Sequence, residues 1–205
     1  MRFTFIALIM LSVTPMGNAV ADVIKGELSF TKKPAKAAVF YELKSVFNPV
    51  DGEINQANKA FTEKVGVASH NAQLVLKNND DLEHNVFAND MTQNVQFDVG
   101  LMAPGSHKNL KAQWKENTLV RIGCKIHPKM RSYVANIPSD NFVSFEFKNK
   151  EKVSLFELKE VTGNAYVLLI AGMDTINVTI EKGESKEIDI MRKGKKKGQL
   201  KLSRS

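Results

Sequence analysis

The sequence has a single cysteine, Cys124, among its 205 residues. One thiol cannot form an intramolecular disulfide, which excludes the small scaffolds that depend on disulfide bonds. Long apolar runs are equally scarce, because beyond the first 13 residues none is long enough to cross a bilayer as a helix. Hydrophobic residues make up 43% and charged residues 25% of the chain, which excludes a disordered, collagenous or multi-spanning membrane protein.

The positive charge of the chain is concentrated at its C-terminus. The sequence holds 29 Lys and Arg against 22 Asp and Glu. Residues 191–205 contain seven of those bases and no acid, so the rest of the chain is close to neutral. We interpret residues 191–205 as a basic, solvated tail that is also suited to weak contact with an anionic membrane surface. The lysines are not interleaved with aromatic residues, so nucleic acid is not an expected partner.

The N-terminus has the three parts of a secretory signal. A positive start at Met1-Arg2 precedes an apolar run over residues 3–13, and Ala19-Val20-Ala21 supplies small residues before a cleavage point. We therefore predict a signal peptide over residues 1–21, cleavage after Ala21 and a periplasmic protein without a transmembrane segment.

The remaining chain alternates β-branched or aromatic residues with polar ones, and Gly, Asn, Asp and Pro separate the runs. This pattern predicts an all-β fold built from β-sandwiches. Pro138-Ser139-Asp140-Asn141 is a break in composition, which predicts one domain over 22–138 and a smaller sandwich over 139–190, before the tail. Only Asp51 to Phe61 is compatible with a short helix.

Metal-ligating side chains are concentrated between residues 84 and 130. Cys124, His127 and Met130 lie within seven residues, and His84 begins a predicted strand forty residues upstream. Two imidazoles, a thiolate and a thioether are the ligand set of a blue-copper site, in which a weak axial methionine completes three stronger ligands. Alternation along residues 119–124 places Cys124 on the inward face of its strand. Pro128 restricts one backbone angle beside the second histidine and stiffens the loop.

Other readings of the same residues are less consistent with the pattern. A lone cysteine is often a buried small apolar residue. A Cys-His hydrolase is a poor competitor, since Cys124 and His127 are three residues apart on one loop and no third orienting group is evident. Structural zinc would use the same nitrogen and sulfur donors, but a thioether favours copper. We therefore predict that the protein is not an enzyme.

His84-Asn85 followed by Cys-x₂-His-x₂-Met resembles the cupredoxins, and the short two-residue gap before Met130 resembles amicyanin more than plastocyanin. Four further segments resemble the exported plastocyanin-like "methylamine utilisation" proteins: Ala37 to Tyr41, Asn58 to Phe61, His84 to Phe87 and Phe97 to Gly100. The resemblance implies one type 1 copper per chain and single-electron transfer between redox partners. It also implies that Asn85 hydrogen-bonds to the ligand loop, and that the second domain is a carboxypeptidase-regulatory-like or transthyretin-like sandwich.

The predicted electron exit is the edge of His127. Lys125, Lys129 and Arg131 surround it in the sequence, so we expect a redox partner with an acidic docking surface. An alternative function with the same ligands is a periplasmic module that binds and delivers copper without carrying electrons. A third reading is a structural protein with an empty site.

Overall fold

The computed structural model describes residues 21–147 and 151–205 of the chain. All regular elements of these residues are strands, so the predicted all-β fold is confirmed. The predicted signal peptide lies outside the described residues except for Ala21. No helix among the described residues is long and apolar enough to span a membrane.

The strands follow one another along the chain as β1 Asp22–Phe30, β2 Ala37–Glu42, β3 Gly52–Ala57, β4 Ala60–Phe61, β5 Val65–Ala68, β6 Gln73–Asn78, β7 His84–Asp90, β8 Val95–Met102, β9 His107–Lys111, β10 Thr118–Gly123, β11 Arg131–Asn136, β12 Phe142–Glu146, β13 Val153–Val161, β14 Ala165–Ile170, β15 Ile176–Thr179, β16 Ser185–Arg192 and β17 Lys195–Arg204.

The strands form four sheets. Sheet I has the order β13-β1-β17-β16, sheet II β12-β2-β14-β15, sheet III β5-β11-β10-β7-β8 and sheet IV β4-β3-β6-β9. Most neighbours are antiparallel, but β5 and β11 in sheet III and β3 and β6 in sheet IV run parallel.

Three hydrophobic cores lie between these sheets and arrange them as four layers. The first core joins sheets I and II, and its members include Ile24, Phe40 and Leu168. The second joins sheets III and IV through residues such as Ile54, Val86 and Val120. The third joins sheet II to sheet III and contains Val39, Tyr41, Val67, Ala135, Ile137, Val167 and Leu169. Sheet II is therefore covered on both faces, which explains why β2 has an unbroken run of six buried residues.

The strand pairing differs from the predicted division of the chain. β1 lies between β13 and β17, and β2 lies between β12 and β14, so residues 22–42 belong to the sheets of the C-terminal part. The sheets that surround the predicted ligands begin only at Gly52. The break at Pro138 to Asn141 separates strands in sequence, but the pairing of the N-terminal strands crosses it.

The reading of residues 191–205 as a solvated tail also requires correction. Lys195–Arg204 forms β17, an inner strand of sheet I that pairs with β1 and β16. Leu200 and Leu202 are buried in the core, while several lysines point to solvent. Arg204 is buried as well and reaches the Asp22 carboxylate at 2.9 Å. The alternation of Leu200 and Leu202 with polar residues is that of an ordinary period-two strand.

The stretch proposed for a short helix, Asp51 to Phe61, is instead the hairpin of β3 and β4. Asn58 and Lys59 at its tip have φ values of +52° and +56°. A two-residue turn with both central residues in the left-handed region matches the twist of paired strands and is incompatible with a right-handed helix.

Candidate metal centre

The first histidine and the cysteine come from neighbouring strands of sheet III. β7 and β10 are antiparallel, with Gly123 opposite Phe87, so the start of β7 lies beside the end of β10. His84 is the first residue of β7, and Cys124 directly follows β10. Both side chains are buried, at 0% and 2% exposure, and Cys124 joins Val120 and Ile122 in the core between sheets III and IV.

The loop after Cys124 brings the second histidine to the same point. Nδ1 of His127 lies 2.9 Å from Nδ1 of His84, and both nitrogens lie 3.8 Å from the Cys124 sulfur. The three donor atoms lie within 4.8 Å of one another. In residues 21–147 and 151–205 this is the one group of three or more His, Cys, Asp or Glu side chains gathered closely enough for a metal.

Met130 closes the loop. Its backbone N–H donates to the His127 carbonyl at 2.9 Å, which folds the segment back toward the strand ends. Its side chain is buried at 3% exposure and belongs to the same hydrophobic core as Cys124. The thioether is therefore placed on the buried side of the loop, and the half-buried His127 lies toward solvent.

Asn85 connects β7 both to the loop and to β8. Its side-chain oxygen accepts the Lys125 N–H at 2.7 Å, and its backbone N–H donates to the Cys124 sulfur at 3.4 Å. Its amide nitrogen donates to Asp98 of β8 at 2.9 Å. The side chain predicted to support the loop thus makes the cross-strand contacts that such a role requires.

Asp80 is a site residue that the sequence pattern did not identify. Its Oδ2 lies 2.9 Å from Nε2 of His84, on the far side of the ring from the nitrogen that faces Cys124. The pKa of Asp80 lies well below its usual range because the Lys59 N–H and the His84 ring hydrogen-bond to the carboxylate. A carboxylate four residues before a predicted ligand histidine is the available signal in the sequence, but nothing in the sequence fixes the direction of the Asp80 side chain.

The second missed residue is Asp98, which forms an ion pair with Lys125. The pKa of Asp98 is lowered mainly by the Lys125 ammonium and also by the Gly100 N–H. Lys125 additionally lies 5.8 Å from the centre of the Phe87 ring. The predicted docking charge of Lys125 is therefore partly neutralised by its own protein.

The other two predicted docking residues lie on the loop or directly after it, together with Pro128, the residue predicted to stiffen the loop. Pro128, Lys129 and Arg131 are exposed. Pro128 and Arg131 line a cleft of about 790 Å³ that extends from Cys124 and Met130 to Gly172. Arg121 lies opposite Tyr133 in the β10–β11 pair and lines the same cleft, so the positive surface on this side continues beyond the three predicted residues.

The separations between the donor atoms are close to those that a bound metal ion imposes. A first-row metal bound at ~2.0–2.1 Å to nitrogen and ~2.3 Å to sulfur holds nitrogen and sulfur donors roughly 3.5–3.9 Å apart. Both nitrogen–sulfur separations of 3.8 Å agree with that range. The nitrogen–nitrogen separation of 2.9 Å is shorter than a bound ion requires, and the half-buried His127 has more room to shift than His84. The residues fit a metal of this class.

Sequence comparison identifies no matching family model and no matching curated protein. Solved structures with similarity include a reduced amicyanin variant, at 15% identity and a TM-score of 0.37 over 49% of this chain and 98% of that one. The purple cupredoxin of Nitrosopumilus maritimus has 14% identity and a TM-score of 0.35, over 42% of this chain and 98% of its own.

A copper-containing nitrite reductase from Thermus scotoductus is also similar, at 16% identity and a TM-score of 0.37. That similarity covers 46% of this chain and 24% of the reductase. At such scores the chemistry of the site must be argued from its own side chains.

Proposed function

We propose that the protein is an exported type 1 copper protein of the cupredoxin kind, which carries single electrons between redox partners. The observation that supports this most directly is the convergence of His84 Nδ1, His127 Nδ1 and Cys124 Sγ within 4.8 Å. They meet at one end of a β-sandwich, and a buried methionine closes the same loop. Two imidazoles with a thiolate and a weak thioether favour copper over zinc.

His84, Cys124 and His127 would hold one copper ion, with Met130 as the weak fourth ligand. Bound copper would supply a reversible one-electron couple between Cu(II) and Cu(I). The chain's own contribution is rigidity. Asn85 ties the loop to β7, and β7 and β10 are hydrogen-bonded neighbours in sheet III. The ligands are therefore held in nearly one arrangement, which limits rearrangement when the charge of the site changes.

Burial of the sulfur protects the site from side reactions. Cys124 is 2% exposed, and its sulfur accepts the Asn85 N–H at 3.4 Å. An exported protein meets an oxidising compartment, where an exposed free thiol forms intermolecular disulfides. A buried thiolate that also ligates a metal is protected from that pairing, which accounts for the lone cysteine of an exported chain.

His127 is the proposed exit for electrons because it is the donor that lies nearest to solvent. The partner would dock over the loop surface that carries Lys125, Lys129 and Arg131. Lys129 and Arg131 are exposed, whereas Lys125 is paired with Asp98. We therefore assign the main attraction for an acidic partner to Lys129 and Arg131.

Titration of the metal-free protein with Cu(II), followed by absorption and electron paramagnetic resonance spectra, tests the proposal. We expect one copper per chain, an intense thiolate-to-Cu(II) band in the visible range and a reversible redox couple. Cys124→Ala should remove the band and the couple, because it removes the sulfur donor. His70→Ala serves as the control, since His70 bonds to the Trp114 carbonyl instead of the ligands.

Two results would contradict the proposal. If Cys124→Ala kept the band and the couple, the ligand assignment would be wrong. If the native protein bound Cu(I) but showed no reversible couple and passed the ion readily to a chelator, copper delivery would be its function instead.

A further inference from the structure

The Asp80 carboxylate is held in a fixed position beside the proposed ligand His84. Its side chain is 6% exposed and that of His84 is 0% exposed, so the contact between them is shielded from water. The Lys59 N–H donates to Oδ2 at 2.6 Å and the Asp81 N–H donates to Oδ1 at 2.9 Å. Three donors, counting the His84 ring, therefore fix the orientation of this carboxylate.

The Lys59 contact depends on the turn between β3 and β4. Asn58 and Lys59 are both left-handed there, and the Lys59 N–H points away from the hairpin toward the loop before β7. A second bond, from the Asn79 N–H to the Gln56 carbonyl at 2.9 Å, joins the same hairpin to the same loop. Sheet IV thereby fixes the position of a charge that faces a side chain of sheet III.

The two ring nitrogens of His84 therefore have different roles, one as hydrogen-bond donor and the other as proposed metal ligand. Nε2 lies 2.9 Å from the carboxylate, which only accepts hydrogen bonds, so Nε2 must carry the proton. Nδ1 is left with its lone pair, and it is the nitrogen that faces Cys124 and His127. A histidine paired in this way to a carboxylate is a more basic ligand than one paired to a neutral group.

We propose that Asp80 is a positioning residue that fixes the tautomer of His84 and lowers the reduction potential of the bound copper. This inference rests on the proposed function. The oxidised site carries one more positive charge than the reduced site, so a fixed negative charge beside a ligand stabilises Cu(II) more than Cu(I). The shielding from water strengthens that preference, because the interaction is poorly screened there.

The decisive variant is Asp80→Asn, which keeps an acceptor oxygen for the ring and removes the charge. Glu83→Gln is the matched control, because it removes the same charge from an exposed residue next to His84. The measurements are the midpoint potential and the separate dissociation constants for Cu(II) and Cu(I). We expect Asp80→Asn to weaken Cu(II) binding about 10–100-fold more than Cu(I) binding. For a one-electron couple each tenfold difference raises the potential by ~59 mV.

Glu83→Gln should leave both dissociation constants and the potential nearly unchanged. An equal shift in the two variants would show a general effect of net charge and would overturn the role of Asp80. An unchanged potential in a well-folded Asp80→Asn protein would overturn it as well. If the native protein bound no copper at all, the proposed function would fail first, so the two failures can be told apart.

A measurement on the unaltered protein covers the case in which Asp80→Asn does not fold. Long-range proton–nitrogen NMR spectra of the Cu(I) form distinguish the two ring nitrogens of His84. We expect a protonated Nε2 whose proton exchanges slowly with water, and an unprotonated Nδ1. A fast-exchanging Nε2 proton or the opposite tautomer would contradict the proposal.

Discussion

The molecule has two halves, one formed by sheets I and II and the other by sheets III and IV. Two carboxylates that are close to fully buried, Glu42 and Asp80, show how these halves differ. Glu42 is the last residue of β2 in sheet II, and its carboxylate accepts hydrogen bonds from Thr162, Gly163 and Asn141. All of its donors belong to loops of the same half. Asp80 also accepts backbone N–H groups, but one of its bonds goes to the ring of a proposed ligand. Glu42 therefore contacts only groups that support the fold, whereas Asp80 also contacts a residue of the proposed copper site.

The hydrophobic cores of the two halves differ in their side chains. The core between sheets I and II is built on aromatic contacts, such as Phe30 with Phe147 at 5.1 Å and Phe40 with Tyr166 at 5.6 Å. The core between sheets III and IV consists mostly of aliphatic residues, with one aromatic stack against it, Phe97 on Trp114 at 6.0 Å, and it includes Cys124 and Met130. At the proposed site beside this core, the rings of His84 and His127 lie 4.6 Å apart.

The largest effect is expected when the chain is shortened so that sheets III and IV are separated from sheets I and II. A fragment of residues 44–138 keeps every strand of sheets III and IV together with the proposed ligands. A fragment of residues 22–138 adds β1 and β2 but removes the strands with which they pair. We propose that the shorter fragment loads copper and that the longer one aggregates through its unpaired strands. Absorption spectra and size-exclusion chromatography of both fragments check this.

The shorter fragment should still be less stable than the full chain. Its loss of sheet II uncovers Val67, Ala135 and Ile137, which now lie in the third core. A longer fragment that loaded copper and stayed monomeric would contradict the strand pairing, and would support the division at residue 138.

Local patterns in the sequence were sufficient to predict the proposed ligands. Alternation ending at Cys124 and a strand beginning at His84 are properties of short segments, and both strands are present. The pairing of β1 with β17 joins residues more than 160 apart, and no local pattern encodes it. Asp80 was missed because its direction depends on a hairpin turn formed by Asn58 and Lys59.

The next largest effect concerns the stability that Glu42 provides. Glu42→Gln removes the charge and keeps one acceptor oxygen. With that oxygen still accepting from Thr162 and Gly163, the new NH₂ group faces the Asn141 amide, which also donates, so that contact is lost and the remaining hydrogen bonds are weakened. We expect the free energy of unfolding to fall by about 1–3 kcal/mol, with copper spectra unchanged. Urea unfolding at neutral pH measures it, and Glu157→Gln, on an exposed strand face, is the control. A change in the copper spectrum would show that the two carboxylates do not act in separate halves.

The pH dependence of the same variant provides a further test of that role. Burial alone raises the pKa of Glu42, but the hydrogen bonds from Gly163 and Thr162 outweigh it and leave the pKa below its ordinary value of about 4.3. A carboxylate with a lowered pKa contributes stability above its unfolded-state pKa, and that contribution is lost as the pH falls through the folded-state pKa. The difference in stability between native and Glu42→Gln protein should therefore shrink as the pH falls below about 4.3. A constant difference across that range would contradict the ionised role.

The smallest effect is expected at the surface, where the charges of the two halves can be compared directly. Lys129 is exposed on the loop between Cys124 and Met130, and Lys195 is exposed at the start of β17 in the other half. Lys129→Glu should slow electron transfer to an acidic partner at low salt, because exposed charges mainly change the rate of association. Lys195→Glu makes the same change in net charge and should have little effect. The difference should fade at ionic strengths above ~0.1 M, where the Debye length drops below ~10 Å. Stopped-flow kinetics over a salt series measure both variants, and a larger effect at Lys195 would place the docking surface on sheet I instead of at His127.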